Sequence, residues 1–117
     1  MASSTNHDLK TQPFLLGHNR SVSAAVAAGQ TIAKNAPLGR VTTTGLLVEA
    51  AHDASDGSQL VVGIAFDAID TTAGAASSPM WVGGDFNADQ VQWDSSWTAA
   101  AKAGAFDRTM IVAYSPA

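Results

Sequence analysis

Three histidines, ten acidic residues and no cysteine set the limits of any chemistry in this sequence. Without cysteine there is no thiolate nucleophile, no disulfide and no thiolate metal site. His52, Asp53 and Asp56 fall in one polar stretch, and Asp56-Gly57 superficially has the look of a calcium loop. Such a loop needs oxygen ligands at alternate positions over about twelve residues and a closing glutamate. Neither is present, so the stretch reads as a turn rich in Asp and Ser. A hydroxyl nucleophile would need a general base. His7 and His18 lie in the leading segment, where a site is hard to preorganise, which leaves His52, and no Gly-x-Ser-x-Gly elbow accompanies it. Asp67 and Asp70 could pair for acid–base work, but they are more simply solvated acids at a strand end and a turn. Gly83-Gly84 lacks the spacing and the following lysine of a phosphate loop. The expectation is a protein that is not an enzyme and carries no cofactor or metal.

The three tryptophans, Trp81, Trp93 and Trp97, leave two readings open. Stacking on nucleic acid would need interleaved basic residues, which are missing. An exposed aromatic face for carbohydrate is one possibility; packing in a core or between subunits is the other.

Charge sharpens the choice. Residues 1–34 carry Lys10, Arg20 and Lys34 against Asp8, a net +2, whereas residues 35–117 carry three basic groups against nine acids, a net −6. An acidic body is a poor partner for phosphates, so no nucleic acid is expected. No run approaches the ~20 apolar residues of a membrane span. The start, MASSTNHDLK, lacks a basic stretch followed by an apolar one, so the expectation is a soluble protein made in a cytoplasm.

Positioning elements follow from pattern. Of 117 residues 46% are hydrophobic, but alanine inflates the figure and large side chains are few, with three Trp, four Phe and one Tyr. One thinly cored domain is expected, of a kind that often gains stability by oligomerising. Residues 1–20 show no periodicity. They are either a disordered terminus or an arm that orders on a partner through Phe14, Leu15 and Leu16. Ser21–Val26 suggests a short strand, Ala28-Gly29-Gln30 a turn before Thr31-Ile32-Ala33, and Pro37–Thr43 and Leu46–Glu49 a hairpin around Thr44-Gly45. Leu60–Ile69 is the strongest strand, with Leu60, Val62, Ile64 and Phe66 on one face. Gly63 opposite them signals a bulge or the close approach of another backbone. A loop over residues 70–78 precedes Met80-Trp81-Val82, and Gly83-Gly84-Asp85 turns the chain. Phe86–Val91 can form a helical turn capped by Asn87. Ser95 or Ser96 then caps a helix over Trp97–Ala103, and Gly104 ends it. Thr109–Tyr114 closes the chain as a strand. The sum is α+β: a β-rich small single domain with one short C-terminal helix and a flexible N-terminal arm.

Four segments then occur in a telling order. They are Ser21-Val22-Ser23 through Gly29-Gln30 to Leu38-Gly39-Arg40-Val41; Thr43-Thr44-Gly45-Leu46-Leu47-Val48; Asp56-Gly57-Ser58-Gln59-Leu60-Val61-Val62-Gly63-Ile64-Ala65; and Gly84-Asp85-Phe86 through Val91-Gln92-Trp93. With Phe106 and Ile111-Val112 after them, residues 21–114 resemble the head decoration proteins of lambda-like tailed phages. Residues 1–20 align with nothing, although that family has a variable, flexible arm there. The resemblance implies residues 1–20 as a capsid-contacting arm, with Phe14, Leu15, Leu16 and Arg20 at the contact, and 21–117 as the decoration domain. It implies a homotrimer at the three-fold and quasi-three-fold sites of an expanded head, on its outer surface, clamping neighbouring major capsid protein subunits. Trp81, Phe86, Trp93, Trp97 and Phe106 are the residues expected in the core or at subunit contacts. The rival expectation is a carbohydrate- or host-surface-binding β module on a virion.

Overall fold

A computed structural model describes residues 13–116. Eight strands follow one another along the chain: β1 (Leu15–Val26), β2 (Thr31–Ile32), β3 (Pro37–Arg40), β4 (Leu47–Glu49), β5 (Val61–Ala65), β6 (Ile69–Asp70), β7 (Ala76–Asn87) and β8 (Met110–Tyr114). Between β7 and β8 lie a 3-10 turn at Ala88–Gln90 and the single short helix α1 (Ala99–Ala103). The architecture is the β-rich α+β domain that the sequence pattern predicts. Residues 1–12 of the expected arm lie outside the described residues. Its last residues do not: β1 begins at Leu15, so Leu15 to Arg20 are strand.

Strands β1, β4, β3, β5 and β7 close into a ring, because β1 pairs with β4 on one side and β7 on the other. The β1–β4 closure is parallel and rests on Val26 opposite Leu47. The interior of so small a barrel is filled by side chains. Here it holds Val26, Ile32, Ala36, Leu38, Leu47, Ala65, Ile69 and Met80. The two-residue strands β2 and β6 pair with each other and bring Ile32 and Ile69 into this cluster. A second cluster packs on the outside of the wall: Ala50, Val61, Ile64, Trp81, Phe86, Val91, Trp97, Phe106 and Ile111. The few large apolar residues are therefore divided between two cores, each small. Strand alternation does the dividing, since Met80 and Trp81 point to opposite faces of β7.

The hairpin around Gly45 forms as the pattern predicts, with Leu38, Gly39 and Arg40 opposite Glu49, Val48 and Leu47. Three other expectations are corrected. The long strand over Leu60–Ile69 is two strands, β5 and β6, and its facing is not a simple alternation. Leu38 pairs with Gly63 but Gly39 pairs with Val61, so Val62 is an extra residue in the ladder. One extra residue shifts parity by one. Val61 and Ile64 then share the outer cluster, while Ala65 joins the interior and Leu60 is left exposed. Gly63, the glycine beside this bulge, also meets its neighbour closely. A Cβ there would stand 2.7 Å from the Trp81 carbonyl oxygen and 2.6 Å from the Met80 sulfur.

Second, Gly83-Gly84-Asp85 is no turn; it lies within the twelve-residue β7, which also takes in Ala76 to Ser78 of the expected loop. Glycines placed there for close packing mimic a turn signal. Third, the helix is shorter than expected and is capped by Thr98, whose hydroxyl accepts the Ala101 N–H. Trp97 precedes it. Gly104 does end the helix, but at φ −106°, outside the left-handed region. Ser96 is drawn elsewhere, donating to Asp94 and accepting the His52 N–H at 2.8 Å. Asn87 caps the 3-10 turn as predicted, through its side chain and the Asp89 N–H.

Candidate binding surface

The residues expected at core or subunit contacts come together in the outer cluster. Trp81, Phe86, Trp97 and Phe106 are buried, and Trp93 is half-buried against them. Two chains of rings run through it. In the first, Phe14 lies 5.1 Å from Phe86, Phe86 lies 5.8 Å from Trp81, and Trp81 stacks on Phe66 at 4.5 Å. In the second, His52 packs on Trp97, Trp97 on Trp93 and Trp93 on Phe106, at 5.2, 5.1 and 5.6 Å. Such ring pairs add about 0.5–1.5 kcal/mol each beyond the area they bury. The Trp97 Nε1–H donates to the Ala50 carbonyl at 3.0 Å, which satisfies the polar end of a buried indole. Trp81 and Trp97 are buried and present no open ring face, whereas Trp93 stays half-buried. Phe66 joins the cluster too, on the same side as Ile64, as the strand alternation places it.

Of the potential catalytic residues, His52, Asp56 and Asp70 make structural contacts. His52 is exposed and its ring lies on Trp97. Among the described residues no group of three His, Cys, Asp or Glu is placed to hold a metal ion. The acids instead close turns of one kind. Asp56 accepts from the Ser58 hydroxyl and N–H, Asp70 from the Thr72 N–H and hydroxyl, and Asp94 from the Ser96 hydroxyl and N–H. These hydrogen bonds favour the charged form and hold all three carboxyls below the ordinary aspartate value. Glu49 moves the other way, raised by partial burial and then by the negative charge of Asp94.

At the expected arm, the four named residues divide. Phe14 is half-buried on Phe86, and its carbonyl accepts the Asn87 N–H at 2.8 Å. Leu16 is half-buried, while Leu15 and Arg20 are exposed. The β1–β7 ladder beside them is irregular. Its register shifts between Leu15 and Gly17, between Gly17 and Arg20, and again between Arg20 and Ser21, then runs unbroken to Val26. His18 takes φ 52°, which a non-glycine residue rarely adopts. Opposite it Gly84 is obligatory: its φ is +115°, and a Cβ would stand 2.6 Å from the His18 carbonyl oxygen. Asn19 bridges the irregularity by donating to the Asp85 carbonyl at 2.9 Å.

Strand β8 completes the surface. It lies parallel to the second half of β7, from Gly83 opposite Met110 to Asn87 opposite Tyr114. Ile111 points into the outer cluster, while Met110, Val112 and Tyr114 face solvent. The sequence marks the strand but does not tell its covered face from its bare one. Along β8 runs a shallow groove of about 660 Å³, floored by Trp93, Phe106 and Ile111, with Lys102 at its rim 5.9 Å from the Trp93 ring.

A small barrel with an aromatic cluster packed on its wall, three of its acids committed to turns and apolar residues exposed along one strand is built to present surface. These features define a structural binding module. The chain belongs to the bacteriophage lambda head decoration protein D family, whose family model matches residues 13–112. No curated protein matches it in a direct comparison. Membership makes it a phage head decoration protein, a structural component that binds the virion capsid, from a family that is not a known enzyme family.

Proposed function

We propose that the chain works as a homotrimer on the outer surface of the phage head, seated at the three-fold and quasi-three-fold positions of the expanded lattice. There it clamps neighbouring major capsid protein subunits together. The observation that carries this reading is the extent of the family match. It begins at Pro13 and runs through the barrel, the aromatic cluster and most of β8, leaving residues 1–12 ahead of it as a lead. In this proposal the lead and the residues at its base, Phe14, Leu15, Leu16 and Arg20, make the capsid contact. Phe14 is the pivot, held by Phe86; Leu15 and Arg20 are exposed beside it.

Physically, the clamp works by avidity. Three weak contacts on one trimer act at high effective concentration once the first has formed, so the whole can exceed one arm's affinity by ~10²–10⁴. An added strand on a capsid sheet edge would supply backbone hydrogen bonds to offset the ordering of the lead. Because the trimer engages the assembled lattice and not loose subunits, mass action stabilises the assembled form.

The test is a chain lacking residues 2–12, which leaves Pro13 onward intact. Its mass by light scattering should remain that of the parent, while binding to heads purified without decoration protein falls by about a hundredfold or more, the avidity range above. Undiminished head binding would refute the arm.

A further inference from the structure

The sequence holds one Asp-Gly pair, Asp56-Gly57, and no Asn-Gly. In an open chain such a pair rearranges readily, because glycine leaves its backbone nitrogen sterically free. The Gly57 nitrogen attacks Asp56 Cγ, a C–N bond forms, and the amide proton leaves with the carboxylic hydroxyl as water. Solvent water then opens the five-membered imide at either carbonyl. Opening at Cγ restores aspartate. Opening at the main-chain carbonyl leaves the backbone running through Cγ, as isoaspartate, one methylene longer. One water leaves and one returns, and nothing is oxidised or reduced.

The fold needs this glycine and uses this aspartate. Gly57 has φ +104°, and a Cβ there would fall on the Thr42 hydroxyl and 2.8 Å from the Arg40 carbonyl oxygen. The Asp56 carbonyl accepts the Thr42 N–H at 2.8 Å, which ties the loop between β4 and β5 to the chain leaving β3. A methylene added at Asp56 would push both contacts out of place. The Asp56 residue is exposed, so water reaches the junction. Its two reacting groups, however, are both engaged. Asp56 Oδ1 accepts the Ser58 hydroxyl at 2.5 Å and the Ser58 N–H at 3.0 Å. Those bonds hold the carboxyl below its ordinary value and so ionised, a form with no hydroxyl to lose as water. The Gly57 N–H donates to Gln59 Oε1 at 2.8 Å. An amide attacks as its nitrogen anion, and an N–H held in a hydrogen bond gives up its proton slowly.

We infer that Ser58 and Gln59 guard the Asp56-Gly57 junction against isomerisation to isoaspartate, one by restraining the carboxyl and the other the nitrogen. A virion component is not renewed once it is in place, so slow backbone chemistry accumulates in it. The inference does not rest on the trimer or on the arm.

The experiment incubates the full chain at mildly acidic pH and follows isoaspartate at Asp56 by peptide mapping with electron-transfer fragmentation. The folded parent should form it roughly tenfold or more slower than the same chain unfolded in guanidinium, because only opened loops react. Ser58→Ala and Gln59→Ala, each folded by tryptophan fluorescence, should form it roughly fivefold faster than the folded parent, the worth of one hydrogen bond. Phe14→Ala, which weakens the fold away from this loop, should age at the parent's rate. If Ser58→Ala does not fold, Gln59→Ala decides alone. A folded parent that ages as fast as the unfolded chain overturns the inference, as does a folded Ser58 or Gln59 variant at the parent's rate. Phe14→Ala ageing as fast as those variants overturns it too, since overall stability would then be the guard.

Discussion

The two halves of strand β7 are built differently although they share one backbone. From Ala76 to Trp81 it pairs with β1 in unbroken register, Val26 to Ser21, and lies inside the closed ring with β5 on its other edge. From Gly83 to Asn87 it faces three register shifts in β1, and the parallel β8 replaces β5. The first half is held by regular hydrogen bonds and an aliphatic interior. The second is held by aromatic side chains, chiefly Phe86 with Phe14 and Trp81. A ladder interrupted by bulges opens at lower cost than a regular one. The difference teaches that the regular half is the firmer one, so the arm base is expected to open before the barrel does.

The strongest way to break this comparison is Phe86→Ala. Phe86 is fully buried at the meeting point of Phe14 and Trp81. Its truncation should cost about 3–5 kcal/mol in urea unfolding; a loss below about 1 kcal/mol would mean that aromatic packing does not hold the second half. Next comes Gly84→Val, which sets a Cβ against the His18 carbonyl and should cost about 1–3 kcal/mol. Hydrogen exchange sharpens that outcome: amides of residues 15–20 should lose protection while those of 21–26 keep theirs. Equal loss in both would show that the halves open together. Phe14→Ala is smaller, about 1–2 kcal/mol for a half-buried ring, and should likewise act on residues 15–20 first.

The smallest effect is that of pH, and it should not separate the halves. Asp56, Asp70 and Asp94 titrate below the ordinary aspartate value in the fold, so the unfolded chain takes up protons first as pH falls. Their contribution is complete above about pH 4 and is lost progressively below it. Glu49 runs opposite. Its raised value means that the fold prefers the neutral acid, so its cost is present at neutral pH and disappears in acid. Melting temperature followed from pH 7 to pH 3 should fall at the acid end, because three groups outnumber one. Ser58→Ala should flatten that fall slightly, and a steeper fall would contradict the assigned turn.

Much of the chain could be read in advance because local chemistry specifies it. The Gly45 hairpin, the Asn87 cap, the single helix near Lys102 and the closing strand at Ile111 all depend on residues a few positions apart. Gly63 was readable as a point of strain, although whether bulge or close approach was open; it is beside one and makes the other.

What no local pattern contains is which strand lies beside which. That Gly83-Gly84 is a place for Arg20, Met110 and the β1 backbone to pass, and not a turn, follows only once β1 and β8 flank β7. That Leu60 is exposed and Val61 buried follows from one extra residue opposite β3, a matter of pairing between segments about twenty positions apart. Composition and spacing determined the kind of domain and the absence of a catalytic pattern in the sequence. Tertiary pairing alone divided the large side chains between two cores and left one face of β8 bare, because a strand's alternation gives two faces and only its neighbours choose which one is covered.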